Sequence, residues 1–213
     1  MDKLTPRDDI TAQIIFIRHG ETYGNIGLPT PEGYDEEDTP LTEYGLRQAQ
    51  AIASYWFDGV EVAHIYSSPF TRTIQTIYPT AQKLGMTITL MPDLIEFGST
   101  ICGCDAQKIK HDFPLVIPCR NEALPAFESE AQAQKRAKKF TDYIASTYKN
   151  GETVIVCTHG TFLSHLIRAA LNITDTNTFN CQVDNTSLTC VIFRNDKSLL
   201  RTANNTSHLR GLQ

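Results

Sequence analysis

Ile14-Ile15-Phe16-Ile17 runs directly into Arg18-His19-Gly20-Glu21-Thr22, with Asn25 three residues further on. A short, apolar, β-branched run followed by a glycine reads as a buried strand that ends in a turn. In open α/β sheets, ligands bind at the carboxyl ends of such strands. Packing explains an arginine and a histidine at that point poorly. An anionic ligand explains them well.

Working outward from this stretch, residues 12–17, 62–66, 86–91 and 153–157 predict strands. Helices are predicted over 42–57, 70–84, 130–148 and from Gly160-Thr161 to Leu171. In the first of these, Thr42 reads as the N-cap, and Leu46, Ala49, Ile52, Ala53 and Trp56 recur at helical spacing. Strands alternating with helices predict an α/β fold: three layers, with a mostly parallel sheet covered by helices on both faces. Near the end, Leu188–Arg194 and Ser198–Thr202 read as a hairpin around Asn195-Asp196, adding antiparallel strands.

Two stretches break the alternation. Residues 25–40 hold three prolines and five acidic residues and read as a surface loop. Residues 97–127 mix Gly, Cys and Pro around a short helical piece near 105–112, which predicts a lid inserted into a single domain spanning 1–213.

Composition narrows the function. Hydrophobic residues make up 41% and charged residues 20%, as in a globular chain with a large core. A net charge of −5 argues against nucleic-acid binding, which needs a basic face. No apolar run approaches the roughly 20 residues of a membrane span, and Met1–Pro6 lacks the apolar core of a signal peptide. A cytoplasmic protein, monomer or homodimer, is expected. The cysteines at 102, 104, 119, 157, 181 and 190 fit reduced thiols better than a disulfide framework, and Cys102-Gly103-Cys104 lacks a partner pair at zinc-site spacing.

Three more anchors stand next to strand ends. Ser67-Ser68-Pro69 is followed by Arg72 and Gln75-Thr76; Glu96 closes Asp93-Leu94-Ile95-Glu96; and Val154–Cys157 delivers Thr158-His159-Gly160. With parallel strands, two arginines, two histidines and one glutamate share one edge of the sheet. Guanidinium forks match phosphate oxygens. The N–H groups of Gly160 and Thr161 open a helix, where anions are stabilised. A neutral imidazole can attack phosphorus, and neighbouring cations favour that neutral form. A carboxylic acid then protonates the departing oxygen and later activates water. With the arginines carrying the charge, no metal or cofactor is needed. Each residue has a blander explanation alone: Arg18 a surface cap, His19 a satisfied edge histidine, Arg72 a solvated helix residue, Asn25 a turn former. Asp93 and Asp105 compete with Glu96 for the acid role.

The ordered set resembles the histidine phosphatase superfamily, in the branch that holds cofactor-dependent phosphoglycerate mutases and small-molecule phosphatases. It comprises Arg18-His19-Gly20-Glu21-Thr22 with Asn25, Pro40-Leu41-Thr42 with Gly45 and Gln48-Ala49, Ser67-Ser68-Pro69 with Arg72 and Gln75-Thr76, then Glu96 and His159-Gly160. The resemblance implies that His19 becomes a phosphohistidine, that Arg18, Asn25, Arg72 and His159 hold phosphoryl oxygens, and that Glu96 is the proton donor. Thr22, Gly160 and Thr161 join the expected substrate-binding set. Mutase lids would carry basic residues just after Glu96 and an Asn after His159-Gly160. Here Phe97-Gly98-Ser99 and Thr161 stand there, and the lid offers only Lys108, Lys110 and Arg120.

A metal-independent phosphatase acting on small phosphate monoesters is therefore expected. A phosphoglycerate mutase is the alternative, and an idle binding module of the same fold is a second. The acidic loop of Glu32, Asp35, Glu36, Glu37 and Asp38 would repel highly anionic substrates if it rims the pocket. The apolar lid residues Phe97, Ile101, Phe113, Leu115, Val116, Ile117, Leu124 and Phe127 suit either an apolar leaving group or attachment of the lid to the body. His64, His111, His165 and His208, and the ring residues Tyr143 and Tyr148, read as structural.

Overall fold

The computed structural model describes residues 9–100, 106–119, 128–175, 179–195 and 197–212. Cys102, Cys104, Asp105, Ile101, Arg120, Leu124 and Phe127 of the expected lid lie outside the described residues, as do Asp196 and the side chain of Lys108.

The first strand, β1, spans Ile10–Arg18 and lies near the middle of the sheet. It pairs in parallel with β5, Glu152–Thr158, and antiparallel with β6, Leu188–Arg194. Beyond β5 lie β2 (Val62–Ser67), β3 (Ile88–Leu90) and the two-residue β4 (Val116–Ile117), all parallel. Beyond β6, β7 (Ser198–Asn205) closes the other edge. The order is β4-β3-β2-β5-β1-β6-β7.

The apolar run of β1 has no alternation because both its faces are covered. Ala12, Ile14 and Phe16 point into one core with Val154, Val156, Phe140 and Phe162; Ile15 and Ile17 point into the other with Ile155, Ile52, Ile74 and Ile77. The first core lies under α4 (Glu130–Thr147) and α5 (Gly160–Ala170). The second lies under α1 (Glu43–Tyr55) and α2 (Thr71–Leu84). This is the three-layer α/β arrangement expected, with elements ending within three residues of their predicted bounds.

Caps fix the helix starts. The Thr42 hydroxyl accepts from Gly45 N at 3.0 Å, and Ser129 and Gln132 form a capping box before α4. The buried face of α1 differs from the expected one. Leu46 is 48% exposed, while Gly45 and Gln48 are buried. A Cβ on Gly45 would sit 2.1 Å from the Glu21 carbonyl oxygen. The helix therefore lays its glycine, not its leucine, against the turn after β1.

The short helix of the lid, α3, spans Ala106–Asp112 as expected. The strand β4 was not foreseen, since two residues carry no period to read. Phe113, Leu115 and Val116 pack into the core under α1 and α2, which makes them attachment to the body. Ile117 is exposed. Among the described residues no helix is long and apolar enough to cross a membrane.

Candidate active site

The carboxyl ends of β1, β2 and β5 meet at one edge of the sheet, as parallel pairing requires. A cleft of about 540 Å³ opens there. Arg18, His19, Thr22, Asn25, Arg72, Glu96, Gly160 and Thr161 all line it, together with Glu36, Glu37, Ser164 and the segment Asn180–Val183. His159 alone of the expected set does not. It is fully buried behind Arg72.

His19 follows β1, and its backbone N–H donates to the Thr158 carbonyl, tying the turn to β5. Its Nδ1 lies 2.8 Å from the Gly20 carbonyl oxygen. A carbonyl only accepts, so Nδ1 carries the hydrogen and Nε2 keeps the lone pair. Burial, followed by the Arg72 charge, holds this imidazole well below its usual range, and Arg18 adds to the effect. Cations were expected to keep the ring neutral; the larger cause is desolvation. Gly20 allows a close approach here, since a Cβ would come 3.0 Å from the Gly45 carbonyl oxygen.

Arg18 donates from Nη1 to the Val183 carbonyl at 2.6 Å. Its Nε is buried without a hydrogen-bond partner among the described residues. Such an N–H is costly to bury unless an acceptor from the cleft meets it. Gly160 makes room for this guanidinium, because a Cβ there would lie 3.2 Å from Nε.

Arg72, in the first turn of α2, donates from Nη1 to the Glu37 carbonyl at 2.8 Å and sits 3.8 Å from the Asp38 carboxylate. Its Nε donates to Nδ1 of His159 at 3.2 Å. That leaves the His159 hydrogen on Nε2, which donates to the Ser68 hydroxyl at 2.8 Å. Both nitrogens of His159 are thus engaged within the protein, so it meets the cleft through Arg72 rather than by a nitrogen of its own. The ring also stands edge-on to Phe70 and to His19, with the two histidine centroids 5.4 Å apart.

Glu96 stands just past the short 3₁₀ turn Pro92–Leu94 that follows β3, one residue after its cap Ile95. Its Oε1 accepts from Phe97 N and Phe162 N, each at 2.8 Å, and its Oε2 from Thr161 N at 3.3 Å. The first N–H groups of α5, expected to hold a phosphate, hold this carboxylate instead. The same dipole and donor argument applies to either anion. Asn25 Oδ1 accepts from Thr22 N at 3.2 Å and from Asn185 Nδ2 at 3.1 Å, which leaves its own amide N–H₂ as the donor toward the cleft.

The acidic loop does two things. Glu36 and Glu37 line the cleft mouth, as the expectation required. Asp38 is buried and accepts from Thr71 N and Oγ1, both at 2.8 Å, so it starts α2 and pairs with Arg72. The Glu37 carboxylate also accepts from Thr100 N at 3.1 Å.

Asn185 and Arg136 were not singled out by sequence. Asn185 Nδ2 also donates to the His19 carbonyl at 2.9 Å, and Thr186, at φ +58°, donates its N–H to the Arg18 and His19 carbonyls. The Asn185-Thr186-Ser187 stretch before β6 carried a turn signal only. Among the described residues no three His, Cys, Asp or Glu side chains gather into a metal-binding group.

Comparison with known proteins supplies the family. The chain is 26% identical over 208 residues to the probable phosphoglycerate mutase GpmB of Proteus mirabilis, covering 92% of this chain and 94% of that one. It is 28% identical over 204 residues to a bifunctional protein of Mycobacterium tuberculosis, covering 92% of this chain and 55% of that one. The chain thus spans about half the length of that relative. Among solved structures, a Bacillus stearothermophilus protein, YhfR, superposes with a TM-score of 0.68 at 24% identity, covering 93% of this chain and 99% of that one. A phosphoserine phosphatase of Entamoeba histolytica, solved with phosphoserine, gives 0.65 at 24% identity with the same coverage. A mycobacterial glucosyl-3-phosphoglycerate phosphatase gives 0.66 at 22% identity, covering 91% and 99%. The model of the histidine phosphatase superfamily, branch 1, matches residues 14–206, and the chain belongs to that family.

Proposed function

We propose that this chain is a phosphatase that hydrolyses small phosphate monoesters through a phosphohistidine on His19, without a metal. The observation that carries the reading is the free Nε2 of a buried imidazole between two guanidiniums, one of which keeps a buried N–H unpartnered. Phosphatases among the solved likenesses support it.

The reaction runs in two displacements. Nε2 of His19 attacks phosphorus while the ester P–O bond breaks, and Glu96, entering as the carboxylic acid, gives its proton to the departing oxygen. Oε2 is the oxygen suited to carry that proton, because Oε1 is held by two short bonds and Oε2 by one long one. Water then attacks the phosphohistidine, Glu96 takes the water's proton, and the N–P bond breaks to release phosphate. Arg18 and Arg72 stabilise the equatorial oxygens, with Asn25 as a third donor. Thr22 fixes Asn25, Gly160 admits Arg18, Thr161 steadies Glu96, and His159 aims Arg72.

The mutase reading would need more positive charge to hold a doubly phosphorylated intermediate. The described cations of the cleft are Arg18 and Arg72. Lys110 of the lid donates to the Pro114 and Val116 carbonyls at 3.1 Å, fastening its own turn. Glu36 and Glu37 at the mouth further disfavour substrates with added negative charge. Phosphate release from a panel of esters tests the proposal. Simple monoesters should exceed sugar bisphosphates; faster isomerisation of phosphoglycerate than phosphate release would overturn it.

A further inference from the structure

We infer that Arg136, clamped by Glu128, is a positioning residue that aims the Glu96 carboxyl at the leaving oxygen. The inference rests on the proposed role of Glu96 as proton donor.

Arg136 lies in α4, outside the cleft lining, yet one of its guanidinium nitrogens serves the segment that carries Glu96. Nη1 donates to the carbonyls of Asp93 and Ile95 at 3.0 and 2.9 Å. Those carbonyls flank Leu94, whose own carbonyl accepts from the Thr158 hydroxyl at 2.7 Å. Three successive backbone acceptors before Glu96 are therefore fixed by side chains. The guanidinium also lies 3.8 Å over the Phe162 ring, and Phe162 N is one of the two short donors to Glu96 Oε1. One planar group thus steadies both the chain that delivers the carboxyl and the helix end that receives it.

The ion pair explains how the clamp keeps its shape. Arg136 Nε and Nη2 reach the two oxygens of Glu128 at 2.8 and 2.6 Å, a fork-to-fork pair. The side chains are only 14% and 11% exposed. A lysine would supply charge without the second fork and without the flat face on Phe162. Glu128 stands directly before Ser129, the N-cap of α4, so the pair ties the start of that helix to the Asp93–Ile95 segment.

A purely structural arginine would slow all substrates alike. A positioning role for the acid makes the effect depend on the leaving group, because an activated aryl oxide departs without a proton. Arg136→Met is expected to lower kcat/KM about 30-fold for an alkyl phosphate such as glycerol phosphate, and under about 3-fold for p-nitrophenyl phosphate, a part of the roughly 10²-fold or more that the general acid itself contributes. KM should hold. In a Glu96→Gln background the same change should cost less than about 2-fold on alkyl phosphate, since two residues acting through one step do not add. If Arg136→Met does not accumulate as folded protein, Glu128→Gln carries the same test with the same pattern. Equal slowing of both substrates, or full additivity with Glu96→Gln, would overturn the inference while Glu96→Gln alone stays leaving-group selective. A Glu96→Gln variant that slows both substrates equally would overturn the acid assignment and this inference with it.

Discussion

The turn that carries His19 is held largely by backbone bonds and close packing, with Asn185 reaching it from outside, whereas the segment that leads into Glu96 is fixed by side chains of α4 and β5. The nucleophile side takes Nδ1–H to the next residue's carbonyl, a backbone N–H to β5, and a glycine that lets α1 press onto the turn. The acid side depends on Arg136 of α4, on Thr158 at the end of β5 and on the N-terminus of α5, all well beyond Glu96 along the chain. The difference teaches that the half proposed to receive phosphate is set mainly by the geometry of one turn, and the half proposed to transfer protons by fit between distant elements. Substitutions should therefore act in an all-or-none way on the first half and in a graded, substrate-dependent way on the second.

The largest effect belongs to the nucleophile. His19→Ala should remove turnover by at least about three orders of magnitude, with the melting temperature nearly unchanged. Next is Arg72→Ala, expected to cost about 10²–10³ in kcat with any substrate, because it removes one donor from the transition-state oxygens and the partner of His159. A leaving-group dependence in Arg72→Ala would blur the distinction between the halves. Glu96→Gln should cost about 10² on alkyl phosphates and far less on aryl phosphates, measured as a slope of kcat/KM against leaving-group pKa.

This contrast also explains what sequence alone could tell. A strand, its turn and its chemistry are contiguous at Ile14–Thr22, so the His19 turn can be read from one stretch, and the fold class follows from the alternation of strands and helices around it. Glu96 lines the cleft, but its anchoring is not legible in the sequence. Nothing in the spacing of Glu128 and Arg136 says that they meet, or that Arg136 reaches Asp93 and Ile95. The resemblance implies His159 as a phosphoryl ligand, and its strand end says where the residue begins but not that Arg72 and Ser68 meet its two nitrogens. The exposed Leu46 failed for a related reason: helical period gives a face, and the close approach allowed by Gly45 rotated it.

A smaller effect tests how the nucleophile side is braced from the C-terminal end. Trp56 Nε1 donates to His208 Nδ1 at 3.2 Å, and His208 Nε2 lies 3.1 Å from the Thr186 hydroxyl, next to Asn185. Nδ1 must stay unprotonated to accept, and burial pushes this imidazole down to about 4. An unfolded chain takes up that proton near the ordinary value of about 6.5. Stability should therefore be full above about pH 6.5 and fall as the pH drops toward 4, where the folded form also protonates. His208→Gln should flatten the fall in melting temperature between pH 7 and 5, and a parallel curve would show that the brace does not titrate.

The central claim is covalent, so the most direct measurement is rapid quenching with ³²P-labelled substrate followed by peptide mapping. The account predicts an acid-labile, base-stable label on the peptide that contains His19, decaying at the rate of phosphate release and missing from His19→Ala. Steady phosphate release from folded protein with no such label at any quench time would contradict it.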